Sequence, residues 1–237
     1  MGTFNSMSKK PGAKYKTFDD PLSIIPRLAT RLNTLWMRAT YPFANFGHRV
    51  SIHYSCDIWR AGARYVYFGD DVYLAPGVWL NVLPGTEDSS LKITFGRGCG
   101  IGRRSMISAR NSISLGEDVL VSPSVLIMDH NHEYSNPDVP ICEQPATGGG
   151  RIEIGRNCWL GYGAVICCAS GELSVGRNSV VGANAVVTKS FPPFSVIAGN
   201  PARLIKRYDA ASARWVRVAR QSAEEHPQGS CDANRSS

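Results

Sequence analysis

Residues Met128-Asp129-His130-Asn131-His132-Glu133 hold two of the chain's five histidines, two apart and flanked by acids. An imidazole titrates near neutrality and can take a proton from a hydroxyl or an amine. Two histidines at this spacing in extended backbone also share a face. With Asp129 or Glu133 they could bind a metal, although no third ligand stands at a fixed distance. A purely structural role is the third reading. His48 and His53 precede the patterned region, and His226 lies near the C-terminus.

Other routes to chemistry lack their signatures. There is no Gly-x-Ser-x-Gly elbow, no phosphate-binding Gly-Lys-Ser/Thr loop and no dinucleotide fingerprint. No cysteine stands beside a histidine in sequence. These absences favour direct transfer over a covalent intermediate.

The elements that must hold His130 are legible as a repeat. Three apolar positions six residues apart recur five times: Phe68, Leu74, Leu80; Phe95, Ile101, Ile107; Leu115, Val121, Ile127; Ile154, Leu160, Ile166; Val175, Val181, Val187. Each triplet opens with an apolar residue followed by glycine (Gly69, Gly96, Gly116, Gly155, Gly176). A period of six fits neither an amphipathic helix nor an alternating hairpin strand. Three sixes make one turn of a three-sided coil, each side turning one residue inward. Such coils stack at the ~4.8 Å spacing of hydrogen-bonded strands, and several must stack to close a core. Small residues such as Ser105, Cys158, Ala164, Ser179 and Ala185 mark corners, with Val72, Val78, Val119 and Val125 at the same position elsewhere. The fold class is therefore all-β, a parallel β-helix of five or more three-sided coils. Two long interruptions, loops 81–92 and 128–151, leave the prism, and loops on a rigid scaffold often carry function.

The chain has 237 residues, 43% hydrophobic and 19% charged, with a net charge of +7, pI ≈ 9.1 and mean hydropathy -0.16. No stretch approaches the ~20 apolar residues of a membrane span, and the start has no signal-peptide pattern. Seven cysteines without metal-like pairing read as reduced thiols. The expected location is cytoplasmic, with the inner face of the membrane as the alternative. The basic balance suits an anionic partner, but no nucleic-acid motif or stacking platform accompanies it, so no nucleic-acid partner is expected.

The ends read as appendages. Residues 1–20 read as a disordered basic N-terminus. Residues 21–48 read as a helical capping segment, with Leu28, Leu32, Leu35, Trp36 and Ala39 on one face and Arg27, Arg31 and Arg38 around it. That face is expected to cover the open end of the prism. The competing reading is peripheral membrane contact through residues 21–43. The β-helix domain is expected over 49–207. A C-terminal helix is expected over 208–226, with Asp209 or Ser212 as N-cap and Trp215, Val218 and Ala219 as its apolar side. A disordered tail is expected over 227–237.

Three segments carry a family likeness: LGEDVLVSPSVLIMDHNH, IEIGRNCWLGYGAVI and VGRNSVVGANAVVTKSFPPFSVIAGNPARLIKR. They resemble the hexapeptide-repeat acetyltransferases, in the branch of maltose and galactoside acetyltransferases and polysaccharide O-acetyltransferases. The resemblance implies a left-handed coil, against the usual crossover hand. It implies a homotrimer with active sites between subunits, acetyl-CoA as cosubstrate, no metal and a saccharide acceptor, most naturally a hydroxyl of a surface polysaccharide or its lipid-linked precursor. His130 matches the family's general base, with His132 second. The backbone N–H of Tyr162 matches the group that polarises the thioester carbonyl. Trp159, Gly161, Tyr162, Gly182, Ala183, Thr188 and Lys189 match the CoA groove, and Arg203 and Lys206 the region of its phosphates. N-acetylation of a sugar nucleotide or xenobiotic stays open, since an amine acceptor also needs a base. A non-catalytic β-helix scaffold is the reading from another class.

One departure bears on the acceptor. Simple sugar acetyltransferases carry Asn and Asp in the coil before the catalytic one, where this chain has Arg103-Arg104-Ser105-Met106-Ile107-Ser108-Ala109-Arg110. Arg103, Arg104 and Arg110 would suit an acceptor bearing phosphate or carboxylate.

Overall fold

The computed structural model describes residues 24–83 and 90–218. All fifteen register positions point inward and are at most 2% exposed. They stack in three ladders of parallel strands. On one side Phe68 pairs with Phe95, Phe95 with Leu115, Leu115 with Ile154 and Ile154 with Val175. The second side stacks Leu74, Ile101, Val121, Leu160 and Val181. The third stacks Leu80, Ile107, Ile127, Ile166 and Val187. The chain is a left-handed β-helix whose core is a column of like residues.

A sixth coil precedes these five. Phe46, Ile52 and Ile58 keep the six-residue spacing, Gly47 follows Phe46, and the three pair with Phe68, Leu74 and Leu80. The prism thus starts at Asn45 rather than residue 49. A short 3-10 turn over Arg60–Tyr65 separates this coil from the next. Phe43, Phe46, Phe68 and Phe95 pack ring on ring at this end, with centroids 5.2–5.7 Å apart.

Helix α1, Ile24–Thr40, closes the first coil, but not with its leucine face. The open edge of the first coil presents unpaired N–H and C=O groups, which need polar partners. The Thr34 hydroxyl accepts from Ile52 N at 3.0 Å and lies 3.1 Å from Ile52 O, while Asn33 Nδ2 donates to Ile52 O at 3.4 Å. Met37 is the buried residue that plugs the core from this helix. Leu28, Leu32, Leu35 and Trp36 are each more than half exposed. The expected cap is present, but the face that makes it is the opposite one.

The other end differs more. Residues 209–218 are not helical. Arg203–Asp209 runs antiparallel to Ser195–Ala198 and then pairs with Arg214–Arg217 as a hairpin. Burial along 203–209 alternates, the period of a strand. The Asp209 carboxylate accepts from the Ala211 and Ser212 N–H groups and from the Ser212 hydroxyl at 2.6 Å. Such side-chain-to-backbone bonds cap helices and close turns alike, and here they close a turn. The expected helix beyond residue 218, the tail 227–237 and the N-terminus 1–20 lie outside the described residues.

The first interruption is shorter than expected, since the strand Trp79–Val82 runs into it. The second leaves after Leu126–Met128 and rejoins at Gly149–Ile154. Gly150 N donates to Asp129 O at 2.6 Å, so the two ends of this excursion meet.

Candidate active site

The excursion begins at the end of a strand, and that position buries its first residues. Asp129 is fully buried and His130 is 7% exposed. The Asp129 carboxylate accepts three backbone N–H groups, from Arg110 at 2.7 Å, Asn111 at 2.8 Å and Ser112 at 2.9 Å. Those amides belong to the corner of the preceding coil. Thus the aspartate staples the excursion to the prism, and its Oδ1 also meets His130 Nδ1 at 3.0 Å.

That contact assigns the imidazole. With Nδ1–H donating to the carboxylate, Nε2 carries the lone pair and can accept a proton. Nε2 lies 3.5 Å from Ser108 Oγ, to which Asn81 Nδ2 donates at 2.9 Å. Asn81, Ser108 and Met128 stack on successive coils, each one residue after an inward position. Asp129 figured in the sequence only as a possible metal partner; Ser108 and Asn81 were missed. Their signal was the register itself, because each follows an inward position by one residue.

His132 goes elsewhere. It is exposed on the excursion, in an isolated antiparallel bridge with Ala146. His130 is thus buried against the prism while His132 faces solvent. Two cysteines are also held from reaction. Burial raises the Cys56 and Cys99 thiols to about 11, so neither is a thiolate at neutral pH.

The expected groove residues lie along another row. Leu160 pairs with Val181, so Gly161 and Tyr162 stack over Gly182 and Ala183. Ala198, paired with Arg203, continues the row. The row is narrow. A Cβ on Gly161 would stand 2.7 Å from Ala183 N, and one on Gly182 3.1 Å from the Ala198 Cβ. Tyr162 is exposed, and among the described residues nothing accepts from its backbone N–H. Trp159 is half-exposed and donates Nε1–H to Ser122 Oγ at 2.9 Å. Thr188 falls in the row of Asn81 and Ser108. Lys189 lies over the Phe191 ring at 5.8 Å. Arg203 is exposed and Lys206 partly so, both on the terminal hairpin.

Within one chain, the His130 row and the Tyr162 row stand at opposite ends of one prism face. Residues 124–128 separate them, ~15 Å at the rise of a strand. Arg110 and Arg103 also divide. Arg110 donates its backbone N–H to Asp129, whereas Arg103 lies in the same row as Tyr162 and faces α1.

Residues 151–189 match the family described as "Hexapeptide repeat of succinyl-transferase". The matched coils are hexapeptide repeats. The chain is 34% identical over 119 residues to the putative lipopolysaccharide biosynthesis O-acetyl transferase WbbJ of Escherichia coli, covering 47% of this chain and 59% of that protein. The chain thus spans less than two thirds of that relative's length. The structure of a galactoside acetyltransferase in complex with coenzyme A matches with a TM-score of 0.51 and 26% identity, over 62% of this chain and 67% of the other. AntD, an N-acyltransferase from Bacillus cereus solved with dTDP and 3-hydroxybutyryl-CoA, matches with a TM-score of 0.60 at 17% identity, over 75% and 89%. That last likeness is one of fold. The family match falls on the coils that carry Trp159, Gly161, Tyr162, Gly182, Ala183, Thr188 and Lys189.

Proposed function

We propose that this protein is an acetyl-CoA-dependent acetyltransferase acting on a saccharide hydroxyl, with His130 as general base. The observation that carries the reading is the Asp129–His130 pair, which leaves Nε2 free to accept a proton beside Ser108. In the proposed reaction Nε2 takes the proton from the acceptor hydroxyl. The oxygen attacks the thioester carbonyl, and the Tyr162 N–H stabilises the oxyanion. The tetrahedral intermediate then expels the CoA thiolate, which takes the proton back from His130.

The separation of the two rows supports a site shared between chains. A neighbouring copy in a homotrimer would bring its Tyr162 row against the His130 row of this one. Acetyl-CoA would then lie between prisms, along Trp159, Gly161 and Gly182, with Arg203 and Lys206 near its phosphates. The likeness to a lipopolysaccharide O-acetyl transferase favours a surface polysaccharide or its lipid-linked precursor as acceptor.

The test is CoA release from acetyl-CoA with a panel of saccharides and amino sugars. His130→Ala is expected to lower turnover ~10²–10⁴-fold in a folded protein. Unchanged turnover would exclude His130 as the base. Preference for amino sugars would move the reading to N-acetylation, and no turnover with any acceptor would favour a binding scaffold.

A further inference from the structure

Helix α1 carries three stripes. Its inner stripe, Thr30, Asn33, Thr34 and Met37, faces the first coil and the cleft beside it. Its outer stripe, Ile24, Ile25, Leu28, Leu32, Leu35 and Trp36, is 46–78% exposed. At 100° per residue these six fall within one arc, a continuous apolar band pointing away from the prism. Arg27, Arg31 and Arg38 form a row along one margin of that band, and α1 contains no acidic residue. A cleft of about 880 Å³ opens between this arginine row and the prism. Arg49, Arg103 and His53 line its other wall. Arg49 is paired with Asp71 at 2.5 Å, whereas Arg27, Arg31, Arg38 and Arg103 form no ion pair among the described residues.

We propose that α1 docks the protein on an anionic lipid bilayer, the apolar band entering the interface and the arginine row meeting lipid phosphates. Both observations are needed. An apolar band alone would suit many partners, and like charges gathered without acids call for an anion. The bilayer supplies both beside each other, an acyl layer next to a sheet of phosphate. The helix has 17 residues and three arginines, and no described helix is long and apolar enough to span a membrane, so α1 would lie along the surface. A second copy of α1 is a poorer occupant, because antiparallel contact would set arginine row beside arginine row and parallel contact would leave both rows without an anion.

The full chain is to be sedimented with vesicles of phosphatidylcholine alone and of phosphatidylcholine mixed with phosphatidylglycerol. Binding is expected to the mixed vesicles and to fall with salt. The Arg27→Gln/Arg31→Gln/Arg38→Gln variant is expected to bind them ~100-fold more weakly. Leu28→Gln/Leu32→Gln/Trp36→Gln is expected to lose binding while keeping its melting temperature, since those side chains are exposed. No binding by the wild type, or equal binding to both vesicles, overturns the proposal. So does a change of oligomeric state in the leucine variant without vesicle binding, which would make the band a subunit contact. A nucleoside diphosphate that raises the melting temperature of wild type but not of the arginine variant, without vesicle binding, would make the cleft a site for soluble anions and overturn it too. Vesicle binding needs no acyl transfer, so its failure leaves the catalytic reading intact.

Discussion

The Nδ1 of His130 stands 3.0 Å from Oδ1 of Asp129, and that same carboxylate accepts three amides of the preceding coil. The candidate base is thereby oriented by the scaffold rather than by the rest of the excursion. Asp129→Asn keeps the shape but loses the carboxylate that fixes the tautomer. It should lower kcat by up to ~10⁴-fold, as when an aspartate that fixes a catalytic histidine's tautomer becomes an amide, with little change in KM for acetyl-CoA. Combined with His130→Ala, it should cost nothing further, since the two act as a unit. Additive losses in steady-state kinetics would show that Asp129 acts on its own.

Gly161 and Gly182 stack on each other but leave unequal room. A Cβ at Gly161 meets backbone of the next coil at 2.7–2.9 Å, while one at Gly182 first meets the Ala198 Cβ at 3.1 Å. Gly161→Ala should therefore destabilise by about 1–3 kcal/mol, the range for overpacking. Gly182→Ala should cost less, and Gly182→Val should raise KM for acetyl-CoA as well. Denaturant midpoints for the three variants check the order. Equal midpoints would mean that the coils yield freely at this corner.

Thr34 satisfies the exposed edge of the first coil through one hydroxyl. Thr34→Val keeps the volume and leaves Ile52 N–H without that acceptor. A loss of about 1–3 kcal/mol is expected, with faster hydrogen exchange at Ile52 than at Leu74. Unaltered exchange would show that water replaces the threonine.

The Cys99 thiol is buried and raised to about 11, desolvation being the chief cause. An unfolded thiol ionises near ~8.5. Between these values the folded chain keeps a proton that the unfolded chain has lost. Stability should therefore fall as pH rises through that window, by up to ~1.4 kcal/mol per pH unit from this group. Urea midpoints of wild type and Cys99→Ala, followed across the window, check this. A gap between the two proteins that stays constant with pH would refute it.

The prism was legible because inward residues recur at a fixed spacing and burial follows directly from it. Phe46, Ile52 and Ile58 obey the same rule but escaped, since residues 59–65 interrupt the pattern before Phe68. The face of α1 was misread for a physical reason. Apolar stripes usually pack inward, but the surface awaiting this helix was a strand edge, which asks for a hydroxyl and an amide. The terminal hairpin was hidden because Asp209 with Ser212 signals a helix start and a turn equally well. His130 is a candidate by residue type and resemblance, whereas its support by Asp129 depends on three amides remote in sequence, invisible to any periodicity.

The excursion of residues 129–148 leaves the prism and returns to it at one place, where Gly150 N donates to Asp129 O and Asn111 Nδ2 donates to Gly148 O. The stack below and above therefore continues as though the insertion were absent: Met128 and Cys167 pair on one side of it, Gly149 and Ser170 on the other. Such an insertion is a cassette. Beyond His130 its length and composition can vary without disturbing the ladder pairs on either side, so the segment can diverge while the Asp129–His130 pair stays in place.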